Sequence, residues 1–568
     1  GDDLSMKYSE IIRLNNELGK QVQGDEYKIA ILSNVMVHQS KEICEYLLRI
    51  ESINANVLLG EYDNIVQDST KFKDVNTVII FWEIYNFIDG FQYRIDDLSD
   101  VEFTNIINKI EIEIDLVLDN LDTNSLVLIN KFSSLIFDRY KLSSNRLSQL
   151  ASLLNRYLKD SININTKLID IDKIMSHLSI DSSVDLRYYY SSKTLYSIAF
   201  YKKYFEYIRP IILSTTGKVK KALIFDCDNT LWKGVLGEDG FSGIKIFQEI
   251  QYLALSLARK GVIIGLCSKN NPEDVDNVLK NHPDMILRDD SIVIKKVNWS
   301  DKVSNLKLIA QELNIGIESL VFIDDSSFEV GLVKQELPEV RSFQVPIKEY
   351  EYGLMLRKVS NLFYSPSQTK EDAQKIRIYK DQLRRFKDQD NVGNVENYLK
   401  TLGMTITLHV DDLNQASRIS QMTQKTNQFN LVTKRYTENE IKSLINNVVK
   451  IVVTIGVSDK YGDNGITGLA ILDIEQLKIE TLLLSCRVLG RNIEYKFMNI
   501  LLNLLKSRGI KEINSQYIRT LKNKQVSGYY NECEFTTVNE VDGNFHYYLN
   551  IDNYKGKDIK YIKVINEK

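Results

Sequence analysis

Short apolar runs alternate with helical patterns along most of the chain, an arrangement typical of parallel α/β sheets. In the first part, apolar runs occupy residues 29–32, 78–82 and 126–129, and a helical pattern covers residues 37–50. Because these runs lack polar alternation, they indicate strands that are buried on both faces. We therefore predict an α/β domain over residues 1–215.

A second set of apolar runs defines residues 216–370. Strands are predicted at 221–226, 262–268 and 320–324, and a helix precedes the third strand. The apolar positions of that helix follow helical spacing and are Val303, Leu306, Ala310 and Leu313. This segment is predicted to be a second α/β domain.

The remaining residues, 371–568, have a mixed pattern that follows a charged stretch. Strands are predicted at 466–474 and 480–484, and a helix is predicted at 492–507. The apolar face of this helix is predicted to be Ile493, Phe497, Ile500, Leu501 and Leu504. This order of elements indicates an α+β domain.

Composition narrows the partners that we expect. The 568 residues include 72 Lys and Arg against 76 Asp and Glu, a formal net charge of −4. Such a balance gives no general attraction to nucleic acid or to an anionic membrane, and no apolar run is long enough to span a bilayer. The five cysteines are scattered and form no metal-binding pair. We expect a cytoplasmic protein that has neither nucleic acid nor membrane as a partner.

A candidate site follows the 221–226 strand, where the sequence reads Asp226-Cys227-Asp228-Asn229-Thr230. Ligands of open α/β sheets bind at the carboxyl ends of strands, and two carboxylates two residues apart suit a hard cation such as Mg²⁺. One carboxylate can attack phosphorus while the other transfers a proton. Taken alone, these residues fit an ordinary turn after a strand equally well.

Further polar residues lie at the ends of the neighbouring elements. Ser268 and Lys269 end the second predicted strand, Lys302 begins a helix, and Asp324 with Asp325 ends the third strand. Together with the aspartates of the first strand, this order resembles the four-motif layout of the haloacid dehalogenase (HAD) superfamily. An inactive member of that superfamily is the alternative.

The resemblance implies a role for each of these residues. Asp226 is expected to face the phosphoryl group as nucleophile, Asp228 to act as general acid/base, and Lys302 to hold phosphate oxygens. The further phosphate-binding residues that it implies are Thr230, Ser268, Lys269 and Asn270. The Mg²⁺ ligands that it implies are Asp226, Asp228, Asp324 and Asp325.

The spacing of these residues predicts an open site. Thr230 and Ser268 are 38 positions apart, and Ser268 and Lys302 are 34 positions apart. Neither interval has room for a separate cap domain, so we predict a central Rossmann-like HAD domain without a large cap. The reacting group is then expected to arrive on something large, or another domain is expected to cover the site.

The local sequence resembles the FkbH-like branch of the superfamily over essentially the full chain. The matching segments are residues 226–240, 267–270, 322–325, 424–430, 461–463 and 485–491. This resemblance implies an enzyme that takes the glyceryl group of 1,3-bisphosphoglycerate, releases phosphate and loads a phosphopantetheinylated acyl carrier protein as a thioester. Such enzymes serve polyketide and tetronate biosynthesis.

Three other functions stay open at this point. The chain could be a HAD phosphatase that acts on a phosphorylated metabolite, and phosphate release without thioester formation would indicate this. It could be a GNAT-type acyltransferase whose HAD domain is auxiliary, and binding of acyl-CoA would indicate that. It could also be a docking scaffold for a carrier protein without turnover.

An acyl phosphate substrate suggests a thiolate nucleophile, for which Cys267 is the candidate. The neighbouring Lys269 is expected to lower the pKa of this thiol. The alternative is an ordinary buried strand cysteine. Cys227 lies between the two key carboxylates, and its side chain is expected to point away from the metal.

The N-terminal domain faintly resembles the SGNH-hydrolase-like domain that precedes the HAD domain in longer FkbH-like proteins. Ser33 follows a predicted strand and Asp185 is present, but no His occurs in residues 178–220. A Ser-His pair is therefore missing there, and we expect a non-catalytic module.

The C-terminal domain resembles the GNAT acyltransferase fold. Arg487 and Gly490 match the pyrophosphate-binding loop of that fold, but Asn492 stands where a small residue is needed. We therefore expect this loop to hold the phosphopantetheine arm of a carrier protein instead of acetyl-CoA. The residues expected to bind the arm are Arg487, Gly490, Arg491 and Asn427.

Overall fold

The computed structural model describes residues 5–121, 125–390 and 395–566. The chain divides into two compact units, of which the first comprises residues up to Leu213 together with Tyr436–Glu440. The second unit comprises Ser214–Arg435 and the residues from Ile441 onwards. The division after Leu213 lies close to the boundary predicted at residue 215, while the two segments predicted beyond it share one compact unit.

The first unit is built on a parallel sheet with the strand order β2-β1-β3-β4-β5. Its strands are β1 (Tyr27–Ser33), β2 (Ala55–Leu59), β3 (Thr77–Phe81), β4 (Leu126–Asn130) and β5 (Thr166–Ile169). Every residue of β3 and β4 is buried, as expected for apolar strands covered on both faces. The predicted strands are therefore confirmed, although the resemblance to an SGNH hydrolase stays a prediction.

Helices connect the strands of this sheet. They are α1 (Tyr8–Gln21), α2 (Ser40–Arg49), α3 (Ile65–Lys71), α4 (Phe91–Arg94), α5 (Asp100–Asn120), α6 (Leu135–Asp138), α7 (Arg146–Ser161), α8 (Ile171–Ser176), α9 (Ile180–Ser183), α10 (Leu186–Ser192) and α11 (Ile198–Leu213). The predicted 37–50 helix corresponds to α2, which presents Ile43, Leu47 and Leu48 to the core.

The second unit begins with another parallel sheet, whose strand order is β10-β9-β6-β11-β12. Its strands are β6 (Ala222–Phe225), β9 (Ile263–Ser268), β10 (Ile294–Val297), β11 (Leu320–Asp324) and β12 (Arg341–Gln344). Strand β6 lies between β9 and β11, so the three predicted strands are neighbours. The predicted α/β class is confirmed by these two parallel sheets.

Short elements fill the intervals between the strands of this sheet. A small hairpin consists of β7 (Trp232–Lys233) and β8 (Lys245–Ile246). The helices are α12 (Leu236–Gly243), α13 (Gln248–Arg259), α14 (Pro272–Asn281), α15 (Lys302–Leu313), α16 (Ser327–Glu336) and α17 (Tyr352–Ser360). These segments belong to the same compact unit as the sheet, in agreement with the absence of a large cap among the described residues.

A mixed sheet completes the second unit, with the strand order β18-β19-β17-β16-β15-β14-β13-β20. Its strands are β13 (Thr405–Val410), β14 (Lys450–Asp459), β15 (Gly462–Asp473), β16 (Lys478–Leu484), β17 (Glu512–Tyr517), β18 (Thr536–Val541), β19 (Asn544–Asn550) and β20 (Lys563–Asn566). Most neighbours are antiparallel, whereas β16 with β17 and β13 with β20 are parallel. This is the α+β arrangement that the sequence predicts.

The helices of this part pack against the mixed sheet and connect it to the parallel one. They are α18 (Lys370–Ala373), α19 (Lys375–Asp390), α20 (Val395–Thr401), α21 (Ala416–Lys425), α22 (Glu438–Ile445), α23 (Ile493–Ser507) and α24 (Tyr529–Glu532). The predicted 492–507 helix is α23, but its buried face is rotated from the predicted one. Ile500 and Leu504 are half-buried, while Met498, Leu502 and Leu505 are buried.

Helix α19 holds the two sheets of the second unit together. Tyr379 packs into the core of the parallel sheet beside α15. Arg385, further along the same helix, binds both carboxylate oxygens of Asp459 in β14, at 2.7 and 2.6 Å. The charged residues near the start of the third predicted segment thus form a connecting helix, α19. In the part of the chain that the structure describes, no helix has the length and apolarity that crossing a membrane requires.

Candidate active site

The carboxyl ends of β9, β6 and β11 bring the predicted polar residues together. Asp226 follows β6 directly, Ser268 is the last residue of β9, and Asp324 is the last residue of β11. The amide of Asp226 donates to the carbonyl of Ile323 at 2.9 Å, which fixes the two aspartates in neighbouring positions. This is the edge of an open α/β sheet at which ligands bind.

Three carboxylates form a compact group at this edge, which we call the acidic trio: Asp226, Asp324 and Asp325. One oxygen from each lies within 4.8 Å of the others. Asp226 and Asp324 are buried, and Asp325 is half-buried. Carboxylate oxygens gathered in this way are the ligands that Mg²⁺ prefers, so the donor set fits this ion.

Lys302 is the counter-ion of the acidic trio. Its Nζ lies 3.1 Å from Oδ1 of Asp226 and 2.5 Å from Oδ2 of Asp324. Burial lowers the pKa of Lys302, but Asp226 and Asp324 raise it by more, so the ammonium stays charged. One ammonium facing three carboxylates leaves negative charge uncompensated, which favours a bound cation.

The pKa of the Asp226 carboxyl is set by its burial and by neighbouring side chains. Burial raises the pKa of this carboxyl to about 7, while the Lys302 ammonium lowers it and Asp324 raises it further. The nearby Ser268 side chain also lowers the pKa of Asp226. Burial likewise raises the pKa of Asp325, with Asp324 adding to the effect. Cation binding would favour the ionised form of both groups.

The carboxylate of Asp228 lies outside the acidic trio, and its predicted role as a Mg²⁺ ligand stays a prediction. Its Oδ1 accepts hydrogen bonds from Trp232 Nε1 and from the amide of Leu236, each at 2.9 Å. Its Oδ2 accepts from Asn270 Nδ2 at 2.9 Å. Asp228 and Asn270 therefore fix the turn after β6 and the loop after β9. The roles of Asp228 in proton transfer and of Asn270 in phosphate binding stay predictions.

The other predicted phosphate-binding residues take different positions. Thr230 is fully buried, and its Oγ1 has no hydrogen-bond partner among the described residues. Lys269 lies at the rim of the site, where its Nζ is 2.6 Å from Oε1 of Glu329. Glu329 itself is buried, and its Oε2 has no hydrogen-bond partner among the residues described. Lys269 is thus engaged by a carboxylate at the position where the sequence predicts a contact with phosphate.

The structure contradicts the prediction that Lys269 activates Cys267. Cys267 is fully buried among Ile224, Leu306 and Phe322, and its thiol faces the carbonyl of Lys302 at 3.9 Å. Burial raises the pKa of this thiol, the opposite of activation. Successive strand residues point to opposite faces of the sheet, so Cys267 and Ser268 project from different faces.

Cys227 is also part of the core. It is fully buried in a cluster with Trp232 and Leu266. Burial raises the pKa of its thiol well above the usual value, and the charge of Asp226 adds to the effect. A thiolate at either cysteine of this sheet is therefore disfavoured.

The residues predicted to bind a phosphopantetheine arm separate into two groups. Arg487 and Asn427 line one cavity of the second unit. Arg491 turns away and lies 3.3 Å from Oδ2 of Asp459, and Gly490, in a left-handed turn with φ of 76°, does not line that cavity. A buried carboxylate thus holds the Arg491 guanidinium outside this cavity, and the binding of a phosphopantetheine arm by these residues stays a prediction.

The first unit has its own polar cluster at the carboxyl edge of its sheet. Ser33 ends β1, and its hydroxyl accepts a hydrogen bond from the amide of Val35 at 3.0 Å. Asp185 pairs with Arg187 at 2.9 Å, and the non-catalytic character of this unit stays a prediction. Glu83, which sequence reasoning missed, is fully buried there and accepts from Tyr196 at 2.5 Å. A carboxylate one residue after the apolar 78–82 run is the signal that points to it.

Comparisons with known proteins bear on the fold. Neither a protein-family model nor a curated protein matches the chain. A solved structure of the N-terminal part of the protein BF1531 from Bacteroides fragilis, described as containing a phosphatase domain complexed with Mg, is 23% identical with a TM-score of 0.54. The match covers 64% of this chain and 100% of that chain. The likeness supports the fold of the matching part of the chain.

A second similarity concerns a shorter stretch. The spermidine/spermine N-acetyltransferase SpeG from Vibrio cholerae is 15% identical, with a TM-score of 0.21. The match covers 26% of this chain and 95% of that chain. A TM-score this low carries no argument about the mixed sheet, so the GNAT-like description rests on the sequence resemblance.

Proposed function

We propose that the second unit is a Mg²⁺-dependent enzyme that transfers the glyceryl group of 1,3-bisphosphoglycerate to a phosphopantetheinylated acyl carrier protein and releases phosphate. The observation that carries the phosphate chemistry is the acidic trio with buried Lys302 at the carboxyl edge of a parallel sheet. The description of the BF1531 fragment as a phosphatase domain with Mg supports this part. The glyceryl donor and the carrier protein come from the FkbH-like sequence resemblance.

The residues of the site would divide the work as follows. The acidic trio would hold Mg²⁺, which when bound neutralises charge on a departing phosphate. Lys302 keeps Asp226 and Asp324 in place before and after the ion binds, because its ammonium contacts both. Ser268, the last residue of β9, would favour the ionised form of Asp226.

The burial of Cys267 favours direct transfer to the carrier. In this reaction the pantetheine thiol attacks the acyl carbon of the acyl phosphate, a C–S bond forms, and the bond from that carbon to the phosphate oxygen breaks. The thiol proton leaves with the phosphate as hydrogen phosphate. The resulting 3-phosphoglyceryl thioester then loses its second phosphate to water, which breaks the bond from phosphorus to the C3 oxygen and leaves the glyceryl thioester. No thioester on the enzyme is needed, which agrees with a Cys267 thiol that packs in the core.

A HAD phosphatase is the second candidate, and one observation favours it. The carboxylate of Asp226 is part of the acidic trio, whereas the thiols of Cys227 and Cys267 are buried. A carboxylate nucleophile would attack phosphorus, and water would then release phosphate from it. The two candidates share the metal and the donor but differ in the fate of the acyl group.

Intact-protein mass spectrometry of the full chain separates these candidates. The enzyme would be incubated with Mg²⁺ and 1,3-bisphosphoglycerate generated in situ, with and without a phosphopantetheinylated carrier protein, while phosphate release is followed. We expect a glyceryl adduct on the carrier that depends on both enzyme and Mg²⁺. Phosphate release without an adduct on either protein would replace the proposal with the phosphatase.

Two variants complete the experiment. Asp226→Asn removes one carboxylate of the acidic trio and is expected to lower turnover at least about 100-fold under either candidate. Asp284→Asn changes an exposed carboxylate of the same unit and is expected to leave turnover unchanged. Equal turnover of Asp226→Asn and wild type would remove the acidic trio from the reaction.

A further inference from the structure

The cavity that Arg487 and Asn427 line is surrounded by positive charge, in contrast to the acidic trio. It lies where the end of α15, the start of α19, the end of α21 and the segment after β16 meet, and its volume is about 60 Å³. Its basic side chains, which we call the cationic cluster, are Lys221, Lys375, Arg418, Lys425 and Arg487. On this measure one water molecule needs roughly 10–15 Å³. The cavity therefore has room for about as many water molecules as a phosphate ion has heavy atoms.

Arg487 is the strongest indication of a missing ligand. It is 4% exposed, and its Nε donates to Ser485 Oγ at 3.1 Å. Its Nη1 is buried and has no hydrogen-bond partner among the described residues. A buried guanidinium donor without an acceptor is costly, and an anion in the cavity would supply that acceptor.

The cationic cluster has little acidic compensation. Asp372 lies 3.7 Å from Lys375 Nζ and 3.9 Å from Lys425 Nζ. Arg418 has neutral partners, because it donates to Oε1 of Gln421 and to the carbonyl of Ile466. Lys221 likewise donates to a neutral group, the carbonyl of Lys425, at 2.7 Å. Glu318 also lines the cavity but is paired with Lys522 at 2.7 Å, and Glu371 acts on Arg418. Five basic side chains therefore face three carboxylates, one of which already has another lysine as its partner.

This crowding is visible in the acid–base behaviour of the cluster. Burial lowers the pKa of Lys425 to about 8, although the charge of Asp372 raises it. The positive charges of Arg418, Lys221 and Arg487 lower it further. Burial also lowers the pKa of Arg418 to about 10, and the charge of Arg487 contributes. A bound anion would relieve both causes, because it neutralises the repulsion and supplies hydrogen-bond acceptors.

We propose that this cavity binds a phosphate group, which comes either from the phosphopantetheine arm of a carrier protein or from free inorganic phosphate. The size of the cavity, the unpartnered Nη1 of Arg487 and the excess of cations together favour a small, multiply charged anion with several acceptor oxygens. The site lies apart from the acidic trio and is opposite to it in charge. The proposal therefore goes beyond the reaction proposed at Asp226, and only the assignment to a carrier arm rests on the proposed function.

Cys486 offers a direct readout of the cavity. It lines the cavity and is half-buried, whereas Cys44, Cys227, Cys267 and Cys533 are buried. Alkylation of the native full chain with iodoacetamide should therefore modify Cys486 selectively, and peptide mass spectrometry measures its rate. The experiment is done in EDTA, so that phosphate cannot be held at the acidic trio by a metal.

Inorganic phosphate, phosphopantetheine and unphosphorylated pantetheine are then titrated separately at constant ionic strength. We expect saturable slowing of Cys486 alkylation, about tenfold, by at least one of the two phosphate compounds. Protection by phosphopantetheine at lower concentration than inorganic phosphate assigns the site to the carrier arm, and the reverse order assigns it to free phosphate. No protection by either compound, or equal protection by pantetheine without phosphate, overturns the proposal.

Variants test whether the cationic cluster is responsible. Arg487→Gln is expected to abolish protection, and Lys425→Gln, which removes a less buried charge, is expected to weaken it at least about fivefold in concentration. Lys460→Gln changes an exposed lysine outside the cavity and is expected to behave like wild type. Asp226→Asn is also expected to keep full protection, which separates this site from the proposed reaction. Unchanged protection in both Arg487→Gln and Lys425→Gln overturns the proposal.

Discussion

Lys302 and Asp324 form a buried ion pair in which Nζ lies 2.5 Å from Oδ2, and the same ammonium lies 3.1 Å from Oδ1 of Asp226. The side chain that sequence reasoning assigned to substrate phosphate thus already has two carboxylate partners. Its place at the start of α15 fixes this geometry, because the helix begins where the ends of β6 and β11 meet. The positive charge of Lys302 therefore offsets the electrostatic cost of burying Asp226 and Asp324 side by side.

Replacing Lys302 tests this role. Lys302→Met would leave Asp226 and Asp324 buried without their counter-ion, and breaking a buried pair in this way costs about 3–5 kcal/mol. We expect the free energy of opening of β6 and β11 to fall by that amount, measured by hydrogen exchange and mass spectrometry. Lys233→Met breaks an exposed pair with Glu349 and should change little. Equal effects of the two substitutions would contradict the role of Lys302.

Mg²⁺ should stabilise the protein through the acidic trio. Because one ammonium faces three carboxylates, a bound cation relieves repulsion and favours the folded state. At about 100 times the dissociation constant the gain is roughly 2.7 kcal/mol, which a thermal melt detects as an increase in Tm. EDTA should reverse the increase, and Asp226→Asn should remove most of it. A Tm that does not respond to millimolar Mg²⁺ would contradict binding at this site.

The strands and the edge of the site could be predicted from the sequence because parallel strands end at one edge. Apolar runs located β6, β9 and β11, and this placed Asp226, Ser268 and Asp324 near one another. The alternation of strand side chains also places Cys267 and Ser268 on opposite faces of the sheet. The prediction that Lys269 lowers the pKa of Cys267 was wrong because the thiol is buried in the core, whereas the role of Cys267 as nucleophile stays a prediction.

The remaining errors concern contacts that depend on tertiary packing. Nothing in the local sequence indicates that Trp232 and Asn270 bind the carboxylate of Asp228. The cationic cluster likewise collects residues from elements far apart in the chain. The rotated face of α23, where Met498 is buried instead of Ile500, reflects the position of the helix on a sheet that the pattern alone does not define.

Cys267→Ala tests whether the reaction needs this thiol. The side chain packs among apolar residues, so its truncation should cost about 1 kcal/mol through a small cavity. We expect turnover of the acyl phosphate to stay within about threefold of wild type. Loss of turnover at least 100-fold with an unchanged melting profile would restore Cys267 as the nucleophile, whereas loss of both would reflect damage to the core.

The pH dependence of the first unit should report on Glu83. This carboxyl is fully buried, and burial raises its pKa to about 7 from 4.5, while the hydrogen bond from Tyr196 works in the opposite direction. Its Oε2 has no hydrogen-bond partner among the described residues. The protonated form is thus the one that the folded state accommodates.

The sign of the effect follows from this upward shift of the pKa. Below about pH 4.5 Glu83 is protonated in both the folded and the unfolded chain, and its full contribution to stability is present. As the pH rises from about 4.5 to 7, the unfolded chain releases the proton first and stability falls, by roughly 3 kcal/mol in total. Hydrogen exchange at β3, corrected for the intrinsic effect of pH, should show this loss. Glu83→Gln should flatten the profile, whereas Glu10→Gln, at an exposed helix position, should keep the wild-type slope. A Glu83→Gln profile parallel to wild type between pH 4.5 and 7 would contradict the assignment.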